Sequence, residues 1–338
     1  MSYIKYLNST LKPRTTEKEV VLDLFAGCGG LALGIESAGY KTVGFEMENT
    51  AAATYSKNLG SVCHAVKLDL EFKYPKADIL IGGPPCQPFS VGGHQKGIED
   101  ARDGFPIFID AVKKLNPKIF MFENVRGLLY SNKWYFDLVI NELQKLGYII
   151  DYKLLNAVNF GVPQNRERLF VIGHRAKFSF PKPHYKKVTV SEAIGDTMYV
   201  ALEGSKFLNA AMDKYVAKYE KASSCINPRD LYPNKPSRTL TCRNLAGATG
   251  DMQRVRLPDG RRRRLLFREA ARLQSFPDWF EFIGNETQQF NQIGNAVPPL
   301  LAYQLALALK ECYQMGDLYS SEEILENNIQ ANNVLALF

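Results

Sequence analysis

The feature that most constrains the fold is a regular alternation of short apolar runs and amphipathic stretches over the first half of the chain. The apolar runs cover residues 20–25, 42–46, 78–81, 118–122 and 168–173. The amphipathic stretches cover residues 31–38, 50–58, 105–115 and 134–146. Short apolar runs are typical of buried strands, and the longer stretches have the periodicity of helices that end near Gly, Pro or Asn. The alternation predicts an α/β fold with a doubly wound, Rossmann-like sheet.

A second region begins where this alternation stops, at the proline-punctuated segment FSFPKPHYKK. Residues 181–284 have weaker periodicity and predict a second, smaller domain. The run QIGNAVPPLLAYQLALALKECYQ (292–314) is too apolar for an isolated helix, so we expect it to return to the first domain. The first domain is therefore predicted to comprise residues 1–180 and 285–338.

Charge and cysteine content limit the partners and the compartment. The net charge of +7, with eight arginines against one Asp and one Glu over residues 254–272, favours an anionic partner. The six cysteines form no CxxC pair, so neither a disulfide framework nor a metal site is expected. Residues 1–18 are polar and predict an arm rather than a signal peptide. Because no run of 18 apolar residues exists, we expect a cytoplasmic protein without a membrane span.

The segment VLDLFAGCGGLALG (21–34) combines a strand, a glycine turn and the start of a helix. Gly27 and Gly29 let a ligand approach the backbone at the carboxyl end of the strand, where α/β sheets bind ligands. Glu46 ends the second strand about 20 residues later and can accept both hydroxyls of a ribose. The pattern predicts a site for NAD or for another adenosine-bearing cofactor.

Three further residues help to choose between these cofactors. Asp23 precedes the glycine turn, where it would repel a pyrophosphate but suits a cationic amino-acid head. Asp69 is expected to end a third strand and can accept a hydrogen bond from an adenine amino group, although an ordinary capping Asp is equally compatible. Together with Phe25 in the turn, these acids favour an adenosine cofactor with an amino-acid head over NAD.

The segment GGPPCQPFS (82–90) holds a cysteine on a turn that its prolines restrict strongly. Cys86 follows the strand at 78–81, again at a carboxyl end, so the turn presents its sulfur in a fixed direction. The thiolate is the reactive form of cysteine, and its pKa falls near cations or helix N-termini. An inert buried cysteine needs no such turn. Cys86 is therefore a candidate nucleophile.

An acid and two arginines also lie where strands are expected to end. Glu123 follows the apolar run FMF at a carboxyl edge, where an apolar setting lets a carboxyl group hold or donate a proton near neutrality, although a helix-capping or salt-bridged Glu is the alternative. Arg166 and Arg168 lie two residues apart in VPQNRERLFVIG, so on an extended segment they point to the same face. Two guanidiniums on one face suit a phosphate or a polarised carbonyl group, although a solvated basic edge is the alternative.

These motifs together resemble the cytosine-5 DNA methyltransferase family, which uses S-adenosylmethionine. The resemblance covers roughly residues 20–310 and rests on motifs that follow one another in the order of the family. They are DLFAGCGG, Glu46, Asp69, GGPPCQPFS, ENV, QNRERLFVIG, REAARLQSFPDWF and QIGNAVPP. The resemblance implies a Rossmann-like methyltransferase domain with a smaller target-recognition domain, and S-adenosylhomocysteine as the product, without a metal.

The resemblance also implies roles for individual residues. Cys86 would attack C6 of cytosine, and Glu123 would hold the N3 edge and supply its proton. Arg168, with Arg166 beside it, would brace the base. The positions that match the cofactor pocket of the family are Phe25, Gly27, Gly29, Glu46, Met47, Asp69, Leu70, Pro85, Asn295 and Val297.

Contacts with double-stranded DNA are expected in two regions. The target cytosine has to leave the stacked duplex, and residues 91–104 are expected to close over it. The candidate DNA-binding residues are Ser90, Gly92, His94, Lys96, Arg243, Arg261, Arg262, Arg263 and Arg264. Arg243 is the candidate base contact, whereas the run from Arg261 to Arg264 is expected to meet phosphates. Related enzymes often have a polar side chain where Gly92 stands, so we expect another residue to fill the space left by the base.

Three other functions are compatible with parts of the pattern. A tRNA cytosine-5 methyltransferase shares the architecture, but the related tRNA enzyme usually has Thr where this chain has Ser90. An NAD-dependent oxidoreductase would explain only the glycine turn, and an inactive DNA-binding homologue would not need Cys86, Glu123 and Arg168. The preferred hypothesis is a bacterial restriction–modification enzyme that acts near the nucleoid as a monomer. Its cognate restriction endonuclease would be a genetic partner and not a physical one.

Overall fold

The computed structural model describes residues 1–86, 103–184, 186–222, 229–246 and 251–326. The chain divides into two compact units, each assembled from separate pieces. The small unit comprises residues 1–12, 156–166 and 183–301. The sheet unit comprises residues 13–155, 167–182 and 302–338.

The sheet unit is built on a seven-stranded sheet with the order β3-β2-β1-β4-β5-β8-β6. Its strands are β1 (Val20–Leu24), β2 (Lys41–Glu46), β3 (Cys63–Ala65), β4 (Ile79–Gly82), β5 (Ile119–Val125), β6 (Ile149–Asn156) and β8 (Glu167–His174). The pairs β1–β2, β1–β4, β2–β3 and β4–β5 are parallel, and β5–β8 is antiparallel. The strand order reverses at β1, and in such sheets ligands bind outside the carboxyl ends of the strands at this point. The predicted doubly wound α/β fold is confirmed.

The helices of this unit alternate with the strands along the chain, as the sequence pattern predicts. They are α2 (Gly30–Ser37), α3 (Asn49–Asn58), α4 (Phe105–Leu115), α5 (Lys133–Lys145) and most of α11 (Pro299–Met315). A core cluster joins aromatic side chains of α4 and β5, including Phe108, Phe120 and Phe122, all fully buried. A Cβ on Gly34 would lie 2.4 Å from Ala302, so this glycine allows α11 to pack closely on α2.

The small unit combines short strands with helices. Its elements are α1 (Tyr3–Thr10), β7 (Gln164–Asn165), α6 (Val190–Ile194), α7 (Ala210–Ala222), β9 (Ser237–Arg238), α8 (Cys242–Ala246), β10 (Arg254–Arg256), β11 (Arg262–Arg264), α9 (Phe267–Leu273) and α10 (Glu286–Asn295). Strands β7 and β9 pair in parallel, and β10 and β11 pair antiparallel. Buried ion pairs run through this unit: Arg254 lies 2.9 Å from Asp230 and 3.1 Å from Glu220.

The amino-terminal residues are not an arm, and this prediction is wrong. Tyr3, Leu7 and Leu11 recur every fourth position and are all buried, so α1 packs by one face although half of its residues are polar. The Asp278 N–H donates to the Asn8 side-chain oxygen at 2.8 Å, which fixes α1 within the small unit.

The unit boundaries also differ from the predicted domains, which placed residues 1–12, 156–166 and 285–301 with the sheet. Two of these pieces pair locally within the small unit. β7 forms its ladder with β9, and Leu300 N–H donates to the Ser275 hydroxyl at 3.1 Å. A periodic pattern in such short pieces can show which face is buried but not which unit they pack against, so their partners cannot be assigned from the sequence.

Three further findings concern only the part of the chain that the structure describes. None of the helices there combines the length and the apolar character needed to cross a membrane. Within the same residues, no three His, Cys, Asp or Glu side chains come together in a group that could hold a metal ion. None of the cysteines in those ranges, Cys28, Cys63, Cys86, Cys242 and Cys312, forms a disulfide with another described cysteine.

Candidate active site

The turn that carries Cys86 is held by hydrogen bonds from two other segments of the sheet unit. Asn124, in β5, donates from its side-chain amide to the Pro84 carbonyl at 2.9 Å. The Gly104 N–H donates to the Pro85 carbonyl, also at 2.9 Å. A Cβ on Gly104 would come within 2.4 Å of the Pro85 ring, so the close approach requires glycine. The prolines and these bonds together fix the direction of the turn.

The thiol of Cys86 is half-buried and has an acidic neighbour. Its backbone pairs with that of Asp103 in an isolated antiparallel bridge. Burial, and after it the negative charge of Asp103, raises the pKa of Cys86 from 9.0 to about 12. Nearby cations lower the pKa of a reactive thiol, so the shift of the Cys86 pKa has the opposite direction. The free protein therefore holds a protonated thiol near neutral pH, and the proton has to leave when the sulfur reacts.

Glu123 and Arg168 form an ion pair next to this turn. Val125 of β5 is paired with Arg168 of β8, and Glu123 lies two residues earlier, on the same face of the sheet. Arg168 Nε lies 2.9 Å from Glu123 Oε1, and the two side chains are only 14% and 13% exposed. A Cβ on Gly83 would lie 3.8 Å from Glu123 Oε2, so the turn that leads to Cys86 begins beside this carboxylate. The sequence predicted both residues but not their direct pairing.

The glycine turn after β1 has three residues in the left-handed region. Gly27 and Gly29 have φ of 56° and 88°, and Phe25 has φ of 57°. A bulky residue with such a φ is strained, so the surrounding structure imposes this conformation. The Ala26 N–H donates to the Phe45 carbonyl at 3.1 Å, which ties the turn to β2. Strain of this kind is concentrated at ligand sites.

Two acids border the glycine turn. Glu46 accepts the N–H of Gly27 at 2.8 Å through Oε2 and the N–H of Glu48 at 2.9 Å through Oε1. Asp23 is 1% exposed, and within the described part of the chain its Oδ2 has no hydrogen-bond partner. Burial, and then the charge of Glu46, raises the pKa of Asp23 from 3.8 to about 8. A cation bound here would compensate the buried carboxylate.

Comparison with known proteins identifies the family. Residues 20–311 match the C-5 cytosine-specific DNA methylase family. The chain belongs to this family. The methyltransferase is 54% identical to the type II methyltransferase M.AplI of Arthrospira platensis, over 92% of this chain and 91% of that protein. It is 32% identical to the type II methyltransferase M.NgoFVII of Neisseria gonorrhoeae, over 98% of this chain and 95% of that protein.

Solved structures show the same fold at low sequence identity. A DNMT2 variant of Spodoptera frugiperda has a TM-score of 0.66 and 16% identity, over 87% of this chain and 100% of the other. The Dnmt2 methyltransferase of S. pombe has a TM-score of 0.63 and 17% identity, over 87% of this chain and 99% of the other. At such identities the likeness concerns the fold alone. The activity follows from the family: the chain is a DNA (cytosine-5-)-methyltransferase.

Arg166 binds backbone carbonyl groups, whereas the sequence analysis expected it to lie beside Arg168 and contact the base. It lies in the small unit, where its side chain is buried. Nη1 donates to the Leu240 carbonyl at 2.7 Å, and Nη2 donates to the Gly294 carbonyl at 3.1 Å. A guanidinium committed to these backbone carbonyls joins the segment between β9 and α8 to helix α10. The predicted contact of Arg166 with the base is therefore withdrawn, whereas the prediction for Arg168 stays.

The residues of the basic run at Arg261–Arg264 are not equally available to a phosphate. Arg263 is fully buried, and its guanidinium pairs with Glu269 at 2.8 Å, so the prediction of a phosphate contact is wrong for this residue. Arg262 pairs with Asp230 at 3.1 Å, and Arg261 pairs with its near neighbour Asp259 at 2.7 Å. Successive side chains of a strand point to opposite faces, so in β11 Arg263 is buried while Arg262 and Arg264 lie on the other face.

The remaining DNA-binding candidates divide into two groups. Arg243 is 78% exposed and lies 3.8 Å from Asp251, a loose pair that leaves it accessible to another partner. The other group, Ser90, Gly92, His94 and Lys96, lies outside the described residues.

The predicted cofactor residues also belong to both units. Asp69 does not end a strand, because β3 stops at Ala65, and its Oδ1 accepts the Glu71 N–H at 3.0 Å. Met47 and Leu70 are 61% and 52% exposed. Asn295 and Val297 lie in the small unit, where the Asn295 side-chain oxygen accepts the Cys242 thiol at 3.0 Å.

Two residues next to Cys86 were not recognised in the sequence. Asp103 is buried, and the hydroxyl of Tyr135 donates to its Oδ2. A tyrosine within an amphipathic stretch looks like an ordinary core residue, and its partner is 32 positions away. The one available signal was the position of Asp103 at the end of the glycine-containing segment that follows the cysteine turn.

Proposed function

We propose that this methyltransferase is the modification enzyme of a type II restriction–modification system and methylates C5 of a cytosine within a short, specific duplex site. The observation that carries the catalytic part is the Glu123–Arg168 ion pair, at 2.9 Å, beside the fixed turn of Cys86. The type II character rests on the relatives to which the chain is similar. Because a stacked base is not accessible to these groups, the target cytosine leaves the duplex before the reaction.

Cys86 supplies the nucleophile in this proposal. The thiol loses its proton to solvent, its sulfur forms a bond to C6, and the C5–C6 double bond is lost. Glu123, which first takes up a proton from solvent, gives that proton to N3, so that the electron pair of the former double bond is held between C4 and C5 instead of building up charge on the ring. C5 would then form a bond to the methyl group that S-adenosylmethionine supplies, with breakage of the bond between this methyl group and the sulfonium sulfur and release of S-adenosylhomocysteine. Loss of the C5 proton and breakage of the sulfur–C6 bond restore the aromatic ring, and N3 returns its proton.

Arg168 keeps Glu123 oriented during these steps. It binds Oε1, and Oε2 is left on the side of Gly83, from which the cysteine turn begins. A guanidinium stabilises the carboxylate form, which Glu123 has after it protonates N3. The pair therefore stabilises the state in which the base has taken up the proton.

The methyl donor S-adenosylmethionine fits the glycine turn on two observations. The buried Asp23 oxygen without a described partner suits the ammonium group of a methionine, and Glu46 keeps lone pairs for ribose hydroxyls after accepting two backbone N–H groups. Phe25, Gly27 and Gly29 would form the backbone surface under the ligand. When bound, the sulfonium supplies an electrophilic methyl group.

The substitution Asp23→Asn tests this assignment. It is expected to weaken binding of S-adenosylhomocysteine by about 10-fold or more, because a buried charge pair is lost. Whereas ligand binding becomes weaker, the stability of the ligand-free variant at high pH should increase relative to the wild type. The pKa of Asp23 in the folded protein is raised from 3.8 to about 8, so wild-type stability falls as the pH rises between these values. Asp23→Asn should flatten this decline, measured by thermal unfolding without ligand from pH 5 to 9.

Ligand affinity tests the role of Asp23 in binding, whereas the pH dependence of thermal unfolding tests its raised pKa. If Asp23→Asn binds S-adenosylhomocysteine as the wild type does, Asp23 does not hold the ammonium group. Glu36→Gln is a suitable control, since Glu36 is a buried acid of the same unit whose oxygens accept Thr42 Oγ1 at 2.6 Å and the Gly60 N–H at 2.9 Å. This control should lower stability at every pH and leave ligand affinity within about twofold.

The overall activity is tested with S-adenosylmethionine that carries a labelled methyl group. The protein should label a long mixed-sequence DNA duplex at cytosine C5, saturate at a number of sites set by its recognition sequence, and leave tRNA unlabelled. Label on tRNA alone would identify an RNA enzyme of the same fold. Label on neither substrate, from a protein that binds S-adenosylhomocysteine, would identify an inactive DNA-binding homologue.

A further inference from the structure

Asp103 lies beside the cysteine turn but takes no part in the chemistry described above. Its backbone bridges to Cys86, and the next residue, Gly104, donates to the Pro85 carbonyl at 2.9 Å. The side chain of Asp103 is only 6% exposed. Burying a carboxylate is costly unless donors satisfy it, so the donors that bind Asp103 indicate what it does.

Both carboxylate oxygens of Asp103 have donors from described residues. Oδ1 accepts the Phe105 N–H at 3.1 Å, a bond that the start of α4 explains by itself. Oδ2 accepts the hydroxyl of Tyr135, which lies on α5. Helix capping does not require this second bond. It connects the segment next to the nucleophile to another helix of the sheet unit.

Tyr135 is a rigid anchor for this connection. It is 5% exposed, and its ring packs edge-on against Phe105 with a centroid distance of 5.8 Å. Burial, and then the bond to Asp103, raises the pKa of Tyr135 above its ordinary value, so the hydroxyl stays a donor throughout the working pH range. Loss of the tyrosine proton therefore does not break the bond between the two side chains in that range.

The charge of Asp103 cannot be its contribution to the nucleophile. A negative group next to Cys86 opposes formation of the thiolate, which is the form that attacks. A residue selected for activating the sulfur electrostatically would be a cation. What Asp103 gives to the turn is a fixed position, through its backbone bridge and through the bond to Tyr135.

We propose that Asp103, held by Tyr135, is a positioning residue that fixes the backbone at Pro85 and Cys86 and thereby the direction from which the sulfur reaches C6. The inference rests on the proposed role of Cys86 as the nucleophile. A misplacement of about 1 Å can lower a rate by about 100-fold, so a connection outside the reacting groups can control the addition step.

Tyr135→Phe tests the proposal because it removes the hydroxyl and keeps the ring. The reaction to follow is single-turnover trapping on a mixed-sequence duplex in which 5-fluorocytosine replaces cytosine. The rate constant of adduct formation and kcat on ordinary DNA should fall by about 10- to 100-fold. The final fraction of protein trapped and KM for S-adenosylmethionine should stay within about twofold of the wild type.

Tyr148→Phe is the matched control. Tyr148 is fully buried in the same unit, and its hydroxyl donates to the Pro117 carbonyl at 2.6 Å, so the variant loses a comparable buried bond. It should be destabilised in a similar way and still form the adduct at the wild-type rate. Asp103→Asn keeps the size of the side chain and is the second test variant, in case Tyr135→Phe does not fold. It should show the same loss of rate.

Three outcomes decide the question. A slower rate constant with an unchanged trapped fraction supports the positioning role. A smaller trapped fraction with an unchanged rate constant, or the wild-type rate in the test variants, overturns it and leaves Asp103 a purely structural residue. Failure of the wild type to form any adduct, or adduct formation by Cys86→Ser, would instead disprove the nucleophile itself, so the two failures are distinguishable.

Discussion

Replacing Cys86 by serine is expected to abolish methyl transfer, with kcat falling by about 10⁴-fold or more. A serine hydroxyl in this half-buried position next to Asp103 is a far weaker acid and nucleophile than the thiol, so C6 is not attacked and C5 does not become reactive. The variant should bind S-adenosylhomocysteine and duplex DNA as the wild type does. The measurement is incorporation of labelled methyl groups into duplex DNA, together with adduct formation on a 5-fluorocytosine duplex.

Cys312→Ala provides the control for the loss of a thiol. Cys312 is a buried free cysteine of α11 and belongs to none of the sites described above. Its variant should retain activity within about twofold, apart from a modest loss of stability. Full activity of Cys86→Ser on unmodified DNA would show that the reaction does not pass through this sulfur.

Glu123→Gln should give the second large effect, a fall in kcat of about 10²- to 10⁴-fold. The amide keeps the size of the side chain and can still accept a bond from Arg168, but it cannot supply a proton to N3. Affinity for S-adenosylhomocysteine should be unchanged. The quantity to measure is the single-turnover rate of adduct formation, because protonation of N3 accompanies the addition of sulfur to C6.

The surface pair Arg126–Glu167 supplies the matched control. Its atoms lie 2.6 Å apart, but the side chains are 61% and 37% exposed. Exposed pairs contribute little, so Glu167→Gln should leave both stability and kcat close to wild type. If Glu123→Gln also kept wild-type kcat, the proton for N3 would have to come from another group.

The sheet and most of the catalytic edge could be predicted because they follow from local patterns. Apolar runs fix the strands, and the carboxyl ends of parallel strands share one edge. Cys86 and Glu123 each follow such a run, so their common location needs no knowledge of tertiary contacts. Arg168 was harder to place, since its pairing with Glu123 depends on the antiparallel register of β5 and β8.

The residues that sequence reasoning missed or misjudged depend on contacts between distant segments. Arg263 looks like its neighbours in a basic run, but β11 turns it toward Glu269. Arg166 lies two positions from Arg168, yet its partners come from residues 240 and 294. Asp103 and Tyr135 have no shared motif, and only folding brings them together. Charge and spacing alone do not distinguish a buried structural arginine from one that binds DNA.

On the prediction that the small unit reads the DNA sequence, its division into three pieces of chain has a consequence for exchanging DNA specificity between relatives. A gene segment encoding residues 183–301 would be the natural cassette to transplant, but it would leave residues 1–12 and 156–166 behind. The donor segment would then lose the Asn8 partner of Asp278 and the β7 partner of β9. Functional chimeras should therefore need all three pieces from one parent. Natural recombination that transfers specificity from one enzyme to another is likewise expected to transfer the three pieces together.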